Sequence, residues 1–410
     1  MKSYTKIVYI ALLFGLLFAS CGKNDPVTPP TQYTFLQSDD QIASIPQSNA
    51  KVVFAGISLV YPEASGLAAS VKTDVTVHKI TYYTTFQDSA LLVSGLVCAP
   101  STEGSYPVLC FQNGTNVEYS KAPTVDQGSD LFQLLESVAT MGFVVVVPDY
   151  PGFGASEQVF HPYLEADNTL PCLLDILKAT QEFVSQDNIA AKLNSDLFIM
   201  GYSQGGWATM QLQHELETNG IEGYNLKGSS CGAGPYDLNY LNFLIASKDT
   251  YPMPYFLAFL MDAYHIHGKF TNSLSDIFEA QYASEIPGLF DGVNTGEQIN
   301  AALTTSIPDL LNPDYRNGFQ ANPDYQPITK AFADNSVTAW NVSTPTRLFH
   351  GQNDTFVPIE VSAKMADDFS KAGVSQNLLQ FIPMPGVDHQ SGVRPFGLAS
   401  LSWFLQLEQN

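Results

Sequence analysis

The sequence predicts an α/β fold: a mostly parallel, doubly wound sheet with an antiparallel start and a helical cap inserted before its last strands. Three observations predict it. First, unbroken β-branched and apolar runs such as "FVVVVPDY" (143–150) alternate with segments of helical period such as "DLFQLLESVATMG" (130–142). Strands buried on both faces between helices read that way, and they belong to parallel sheets. Second, residues 75–100 alternate apolar and polar on both sides of Gln87-Asp88-Ser89, the pattern of two half-buried antiparallel strands. Third, the alternation of strand and helix stops from 236 to 340, in an aromatic-rich stretch broken by Pro and Gly, and resumes at "TPTRLFHGQNDTFVP" (344–358). An insertion of that length far exceeds ordinary loops.

The remaining elements follow in order. "YPVLCFQ" (106–112) is a short strand ending in Asn113-Gly114-Thr115. Helices are expected at 170–184 and 207–217, and strands at 197–200 and 226–234. After the insertion come a helix in "VSAKMADDFSKAG", a strand in "NLLQFIPM" and a closing helix in "GLASLSWFLQL". The domain plan is therefore a core of 41–235 and 341–410, interrupted by a cap at 236–340. Ligands of open α/β sheets bind beyond the carboxyl ends of the strands, which is the edge such a cap would cover.

The N-terminus carries a different signal. Lys2 and Lys6 precede an apolar run from Ile7 to Phe18, then Ala19-Ser20-Cys21. A basic start, a short apolar centre and small residues make a signal peptide, too short for a spanning helix. The segment 1–21 resembles a bacterial lipoprotein signal with its lipobox, which would make Cys21 the lipid-bearing first residue of the mature protein. An ordinary secretory signal is the alternative. Residues 22–40, opening with "GKNDPVTPPTQ", read as a polar, Pro-rich tether. The expected location is periplasmic or cell-surface, held to the membrane by that anchor alone. A net charge of −22 argues against nucleic acid or an anionic membrane face as partner. Cys98, Cys110, Cys172 and Cys231 lie in apolar stretches without CxxC spacing and read as buried small hydrophobes, with pairing left open for an exported chain. No metal-ligand cluster is visible and no cofactor is implied.

The chemistry centres on "LFIMGYSQGGWATM" (197–210). Gly201-Tyr202-Ser203-Gln204-Gly205 fits G-x-S-x-G, the turn that lifts a serine between a strand and a helix. Serine is also a favoured N-cap, so the pentapeptide alone does not decide. A nucleophile needs a base, an orienting acid and an oxyanion hole. Of seven histidines, His389 alone lies between the last strand and the closing helix, in the Gly-flanked "MPGVDHQSG", and is the expected base. Asp354 stands in a turn after an apolar strand and gives the chain order Ser…Asp…His. Asp388 is the second choice, since a sequence neighbour of His389 cannot easily reach round the ring. The oxyanion donors are expected from the backbone amides of Gln204 and Thr115.

Taken together, "GYSQGG", "DYPGFGAS", "HGQNDTFVP" and "GVDHQS" resemble the α/β-hydrolase superfamily over roughly 75–410. The long insertion and "QNGT" resemble its secretory lipase and esterase branch. Where relatives commonly carry His-Gly in the oxyanion loop, this chain has Asn113-Gly114. The resemblance implies a serine hydrolase that cleaves small-molecule carboxylic esters through an acyl-enzyme on Ser203, with His389 and Asp354. A peptidase on the same fold, and a non-catalytic surface binding lipoprotein, are the alternatives. "PMPYFLAFLM" (252–261) suits either an apolar substrate group or the cap's own core.

Overall fold

The computed structural model describes residues 34–409, so Cys21 and the signal segment lie outside the described residues. Among the described residues nine strands form one sheet in the order β1-β2-β3-β5-β4-β6-β7-β8-β9. The first three, β1 (Leu36–Ile45), β2 (Val75–Phe86) and β3 (Ser89–Pro100), are antiparallel, and β3 pairs antiparallel with β5 (Val144–Pro148). From β5 onward the pairs are parallel, through β4 (Gly104–Gln112), β6 (Ala191–Tyr202), β7 (Asn225–Gly232), β8 (Thr346–Gly351) and β9 (Leu379–Met384). The sequence patterns explain the split. All five residues of β5 are buried, as a central parallel strand requires, whereas β2 alternates buried with partly exposed positions along most of its length. The hairpin turn falls at Gln87 and Asp88, both at positive φ (45° and 59°), the conformation that tight two-residue hairpins need.

One strand and two helices, Gln47–Ser58 and the short Leu67–Ser70, escaped the sequence reading. β1 begins at Leu36, inside the range assigned to the tether, and the helix Gln47–Ser58 follows it. The strand reads LQSDDQIASI and has one buried residue, Leu36, so it lacks the apolar alternation that marks a half-buried strand. Tertiary contacts hold it instead: the ladder with β2, and the carboxylate of Glu182, which accepts from the backbone N–H groups of Thr34, Phe35 and Leu36. The expected helices and strands are otherwise present, several of them longer than their apolar cores. β6 starts six residues before Leu197, for example. Among the described residues, no helix is long and apolar enough to cross a membrane. Cys98, Cys110, Cys172 and Cys231 are free and buried.

Between β7 and β8 the chain is helical, with its longest helices at Leu238–Ala246, Pro254–Ile266 and Gln326–Asn335. Its own core includes the fully buried Tyr264, Tyr315 and Phe332. It is fastened to the sheet layer at several points. Trp207 Nε1 and Gln211 Nε2 both donate to the carbonyl of Asn335, and the Asn335 side chain accepts from Ala166 N. His267 lies 2.5 Å from the buried carboxylate of Glu165, and Lys269 bonds Asp167 at 2.7 Å. Tyr264 donates to Leu164 O.

Asp262 is fully buried in this insertion, with neither carboxylate oxygen hydrogen-bonded. Burial pushes its carboxyl up to about 6, against the opposing pull of His267. A carboxyl whose folded pKa exceeds its unfolded one stabilises below the unfolded value, and that contribution is lost as pH rises through about 6. Asp262→Asn should therefore gain on the wild type as pH rises from 4 to 8. Denaturant titrations across that window should show the stability difference moving by about 3 kcal/mol in favour of the variant.

Candidate active site

The carboxyl ends of β4, β6, β7 and β8 converge on one point, and the glycines of "GYSQGG" are the reason they can. A Cβ on Gly205 would collide with the carbonyl oxygen of Gln112 at the end of β4. One on Gly206 would strike that of Gly232 at the end of β7, and one on Gly201 that of Gly205. Only bare backbone lets β6 turn into the helix Gln204–Asn219 between its two neighbouring strands. Ser203 sits at the apex with φ 59° and ψ −123°, a conformation that costs an ordinary residue of order 1–3 kcal/mol and recurs at functional sites. Serine's N-cap use is not realised here, for its side chain caps nothing. Instead Ser203 Oγ lies 2.9 Å from His389 Nε2.

His389 Nδ1 lies 2.6 Å from Asp354 Oδ2, so the ring donates to the carboxylate and leaves Nε2 bare to accept the serine proton. The imidazole is buried between the rings of Tyr202 and Phe356, at 5.3 Å and 5.2 Å. The acid turn and the histidine loop are tied together by backbone: Asn353 N donates to Val387 O and Gln352 N to Met384 O. Asp354 Oδ1 accepts from Phe356 N and Val357 N. Asp388, the second choice for the acid, faces away on the surface, where its Oδ1 accepts from the backbone and hydroxyl of Ser391.

A second imidazole reaches Asp354, which the sequence reading did not assign. His350 is fully buried with Nε2 3.2 Å from Asp354 Oδ2. That nitrogen also donates to Val357 O at 2.7 Å, and Nδ1 accepts from the Ser362 hydroxyl at 2.6 Å. Burial pushes the Asp354 carboxyl up, but the hydrogen bonds from His350 and His389 outweigh it and hold the group down at about 2. Asp354 is thus an anion at any pH near neutrality and can stabilise a protonated His389.

The expected oxyanion donors flank the serine. Gln204 is the first helical residue after it, where leading N–H groups have no intrahelical acceptor. Gly114 abuts the nucleophile: a Cβ there would lie 3.8 Å from Ser203 Cβ. Thr115 follows in the same loop, its hydroxyl bonded to Tyr163 OH at 2.8 Å. Gln204 is fixed from below by His161. Since Pro151 O can only accept, His161 donates from Nδ1 (2.8 Å) and presents a bare Nε2 to the Gln204 amide nitrogen at 2.7 Å. This contact, between residues 43 apart, has no sequence signal. Among the described residues no group of three His, Cys, Asp or Glu side chains could hold a metal ion.

Beside Ser203 opens a narrow apolar cavity. Leu238, Leu241, Ile245, Phe256, Leu257 and Leu260 of the insertion form its wall, and Val357 and Tyr163 come from the sheet layer. "PMPYFLAFLM" thus lines the cavity with Phe256, Leu257 and Leu260 and also packs inward, with Ala258 and Met261 fully buried.

Comparison with known proteins places this architecture. A putative hydrolase from Legionella pneumophila superposes with a TM-score of 0.79 at 21% identity, over 92% of this chain and 99% of the other. The ligand-bound rice cell wall degrading esterase LipA from Xanthomonas oryzae gives 0.75 at 22%, over 93% and 98%. The chain has the α/β-hydrolase fold. Candida antarctica lipase A shares that α/β-hydrolase fold more distantly, at 0.59 and 18% identity over 90% of this chain and 81% of the other. A model of the prolyl oligopeptidase family matches residues 130–218, which include the Ser203 turn but neither Asp354 nor His389. No curated protein matches the sequence.

Burial pushes His161 down to about 4, so it is neutral in the fold. A histidine with a depressed folded pKa stabilises above its unfolded value of about 6.5, and that contribution is lost as pH falls toward the folded one. Between pH 6.5 and 4 the wild type should lose about 3 kcal/mol that His161→Gln does not lose. Denaturant midpoints of both proteins at several pH values in that window check it.

Proposed function

We propose that this chain is a serine hydrolase of carboxylic esters whose acyl or aromatic acid group is apolar. The observation that carries the reading is the unbroken hydrogen-bonded series Ser203–His389–Asp354, held on a strained turn at the edge of an apolar cavity. His389 takes the Ser203 proton as Oγ attacks the carbonyl carbon. The backbone amides of Gln204 and Thr115 receive the oxyanion. His389 then gives its proton to the leaving alcohol, and water, deprotonated by the same ring, releases the acid and restores the serine. The apolar wall supplies binding to the acyl side by burial, roughly 0.8 kcal/mol per methylene.

The match to the prolyl oligopeptidase model gives a peptidase as second reading. A peptide substrate favours charge in the site to hold a terminus, and the cavity beside Ser203 is lined by no ionisable carboxylate or cation. We also propose that Cys21 carries a lipid and tethers the exported domain to a membrane; mass spectrometry of the membrane fraction, finding the mature chain unacylated at that residue, would remove this.

Hydrolysis of p-nitrophenyl esters from acetate to palmitate, by the full-length protein and by Ser203→Ala, is the decisive assay. Activity should depend wholly on Ser203 and peak at an acyl chain longer than acetate. Asp354→Asn should lower kcat by roughly 10³–10⁴-fold, because His389 loses its tautomer and its counter-charge together. Absence of ester hydrolysis, with Ser203 also unlabelled by a fluorophosphonate, would instead mark a binding protein on a hydrolase fold.

A further inference from the structure

One surface helix, Gln47–Ser58, is apolar on both sides. Its Ala50 and Phe54 are fully buried and Ile57 packs against the same core, so 50, 54 and 57 make an inner face at i, i+4, i+7 spacing. Val52, Gly56 and Leu59 repeat that spacing on the opposite side, and Val53 and Val60 widen it. A surface helix is ordinarily polar there. Here Val52, Val53, Leu59 and Val60 keep 73%, 42%, 87% and 71% of their surface in solvent. Among the described residues these are four of nine exposed large hydrophobic side chains; the other five, at 83, 125, 243, 266 and 293, are scattered along the chain.

The same stretch is nearly free of charge. The chain has 40 acidic against 18 basic residues, yet 46–71 holds one lysine, Lys51, and one acid, Glu63. Lys51 bonds Gln47, one turn back, at 3.4 Å. An uncharged aliphatic face on an acidic protein suits a neutral lipid surface, because its side chains leave water without an ion being desolvated. Chain length gives the reach. Cys21, the residue expected to carry lipid, stands 13 residues before Thr34. A chain of that length extends to at most about 45 Å. β1, ten residues and so about 33 Å long, then leads to the helix. Contact between the helix and the bilayer that holds Cys21 is therefore intramolecular and takes place at high effective concentration. A second copy fits less well, since stable protein interfaces take about 20–30 residues a side, and this face offers four large side chains.

We propose that the outer face of the helix Gln47–Ser58 docks on an electrically neutral lipid bilayer, with Val52, Val53, Leu59 and Val60 entering the interface and the helix lying in its plane. Interfacial helices bury such faces about 5–10 Å into the headgroup and acyl boundary. The docking rests on the Cys21 anchor reading above and is independent of the reaction at Ser203. It gives the anchored domain one orientation on the membrane, where a polar tether alone leaves it free to turn.

The test places a reporter on the face. Full-length protein from the membrane fraction is reconstituted in phosphatidylcholine vesicles, with and without lipid brominated in its acyl chains, which quenches tryptophan on contact. Leu59→Trp should lose fluorescence to the brominated lipid beyond the loss that the wild type shows through its own three tryptophans. Val293→Trp, at a site 74% exposed but in the insertion, should lose no more than the wild type. Anionic phosphatidylglycerol in the vesicles should weaken the quenching of Leu59→Trp at low salt, because a chain of net charge −22 is repelled. Vesicles that carry the protein but quench Leu59→Trp no more than the wild type, or quench Val293→Trp as strongly, would overturn the docking and leave the anchor standing. Dimers in sedimentation velocity that Leu59→Asp abolishes, without quenching in vesicles, would assign the face to a second copy and also overturn it. A full-length chain that does not float with vesicles would overturn the anchor and the docking together.

Discussion

Everything at the candidate site depends on how closely backbones approach at the Ser203 turn. The carbonyl oxygens of Gln112, Gly205 and Gly232 occupy the volumes that side chains at 205, 201 and 206 would need. That crowding locks the end of β6 against β4 and β7, and it forces Ser203 into a positive-φ conformation that lifts its hydroxyl out of the sheet edge. The cost of that strain is met by the parallel core below, where β5 and the ends of β4 and β6 are fully buried. A rigid sheet is what makes a serine on a turn a fixed point.

The second constraint is electrostatic. Asp354 receives two backbone N–H groups, His389 and His350, and stays ionised though it is mostly buried. An anion so fully coordinated cannot rotate away, and His389 takes its orientation from it. His350 and Ser362 link the acid turn to the helix Ile359–Lys371, so the carboxylate inherits the rigidity of β8 and of that helix. On the other flank, neutral His161 fixes Gln204 through a single tautomer. Both supporting imidazoles hold neighbours in place by hydrogen bonding, and His161 also packs among the rings of Tyr150, Phe153, Tyr163 and Phe259.

The insertion supplies most of the apolar surroundings of Ser203. Its apolar helices make the wall of the cavity beside Ser203, and it is fastened to the sheet layer through Glu165, Asp167 and Asn335 and, at the cavity, through Tyr251, whose hydroxyl donates to Phe356 O. The open grooves beyond the 113–115 loop are lined by the core instead, chiefly by the 113–132 segment and residues 390–394.

Much of this was legible in the residues themselves. Parallel strands announce themselves because burial on both faces demands continuous apolar runs, as in "VVVVP". The glycines of "GYSQGG" and the chain order of Ser203, Asp354 and His389 are local or ordinal signals. The hydrogen bonds that the structure places between those three side chains follow from the sheet that brings their loops together. What a sequence cannot carry is contact between residues remote along the chain. β1 is a polar edge strand whose stability lies in its partner β2 and in Glu182, so its own pattern is silent. His161 and His350 look like any loop or strand-end histidine until packing sets one beneath Gln204 and the other against Asp354. The sequence by itself determined the period of burial and the chemistry at the turns, because both are written within a few residues. Tertiary structure alone decided which histidines support the site, which carboxylate is buried and which apolar side chains wall the cavity beside Ser203, because hydrogen bonds and desolvation depend on distances that only the folded chain defines.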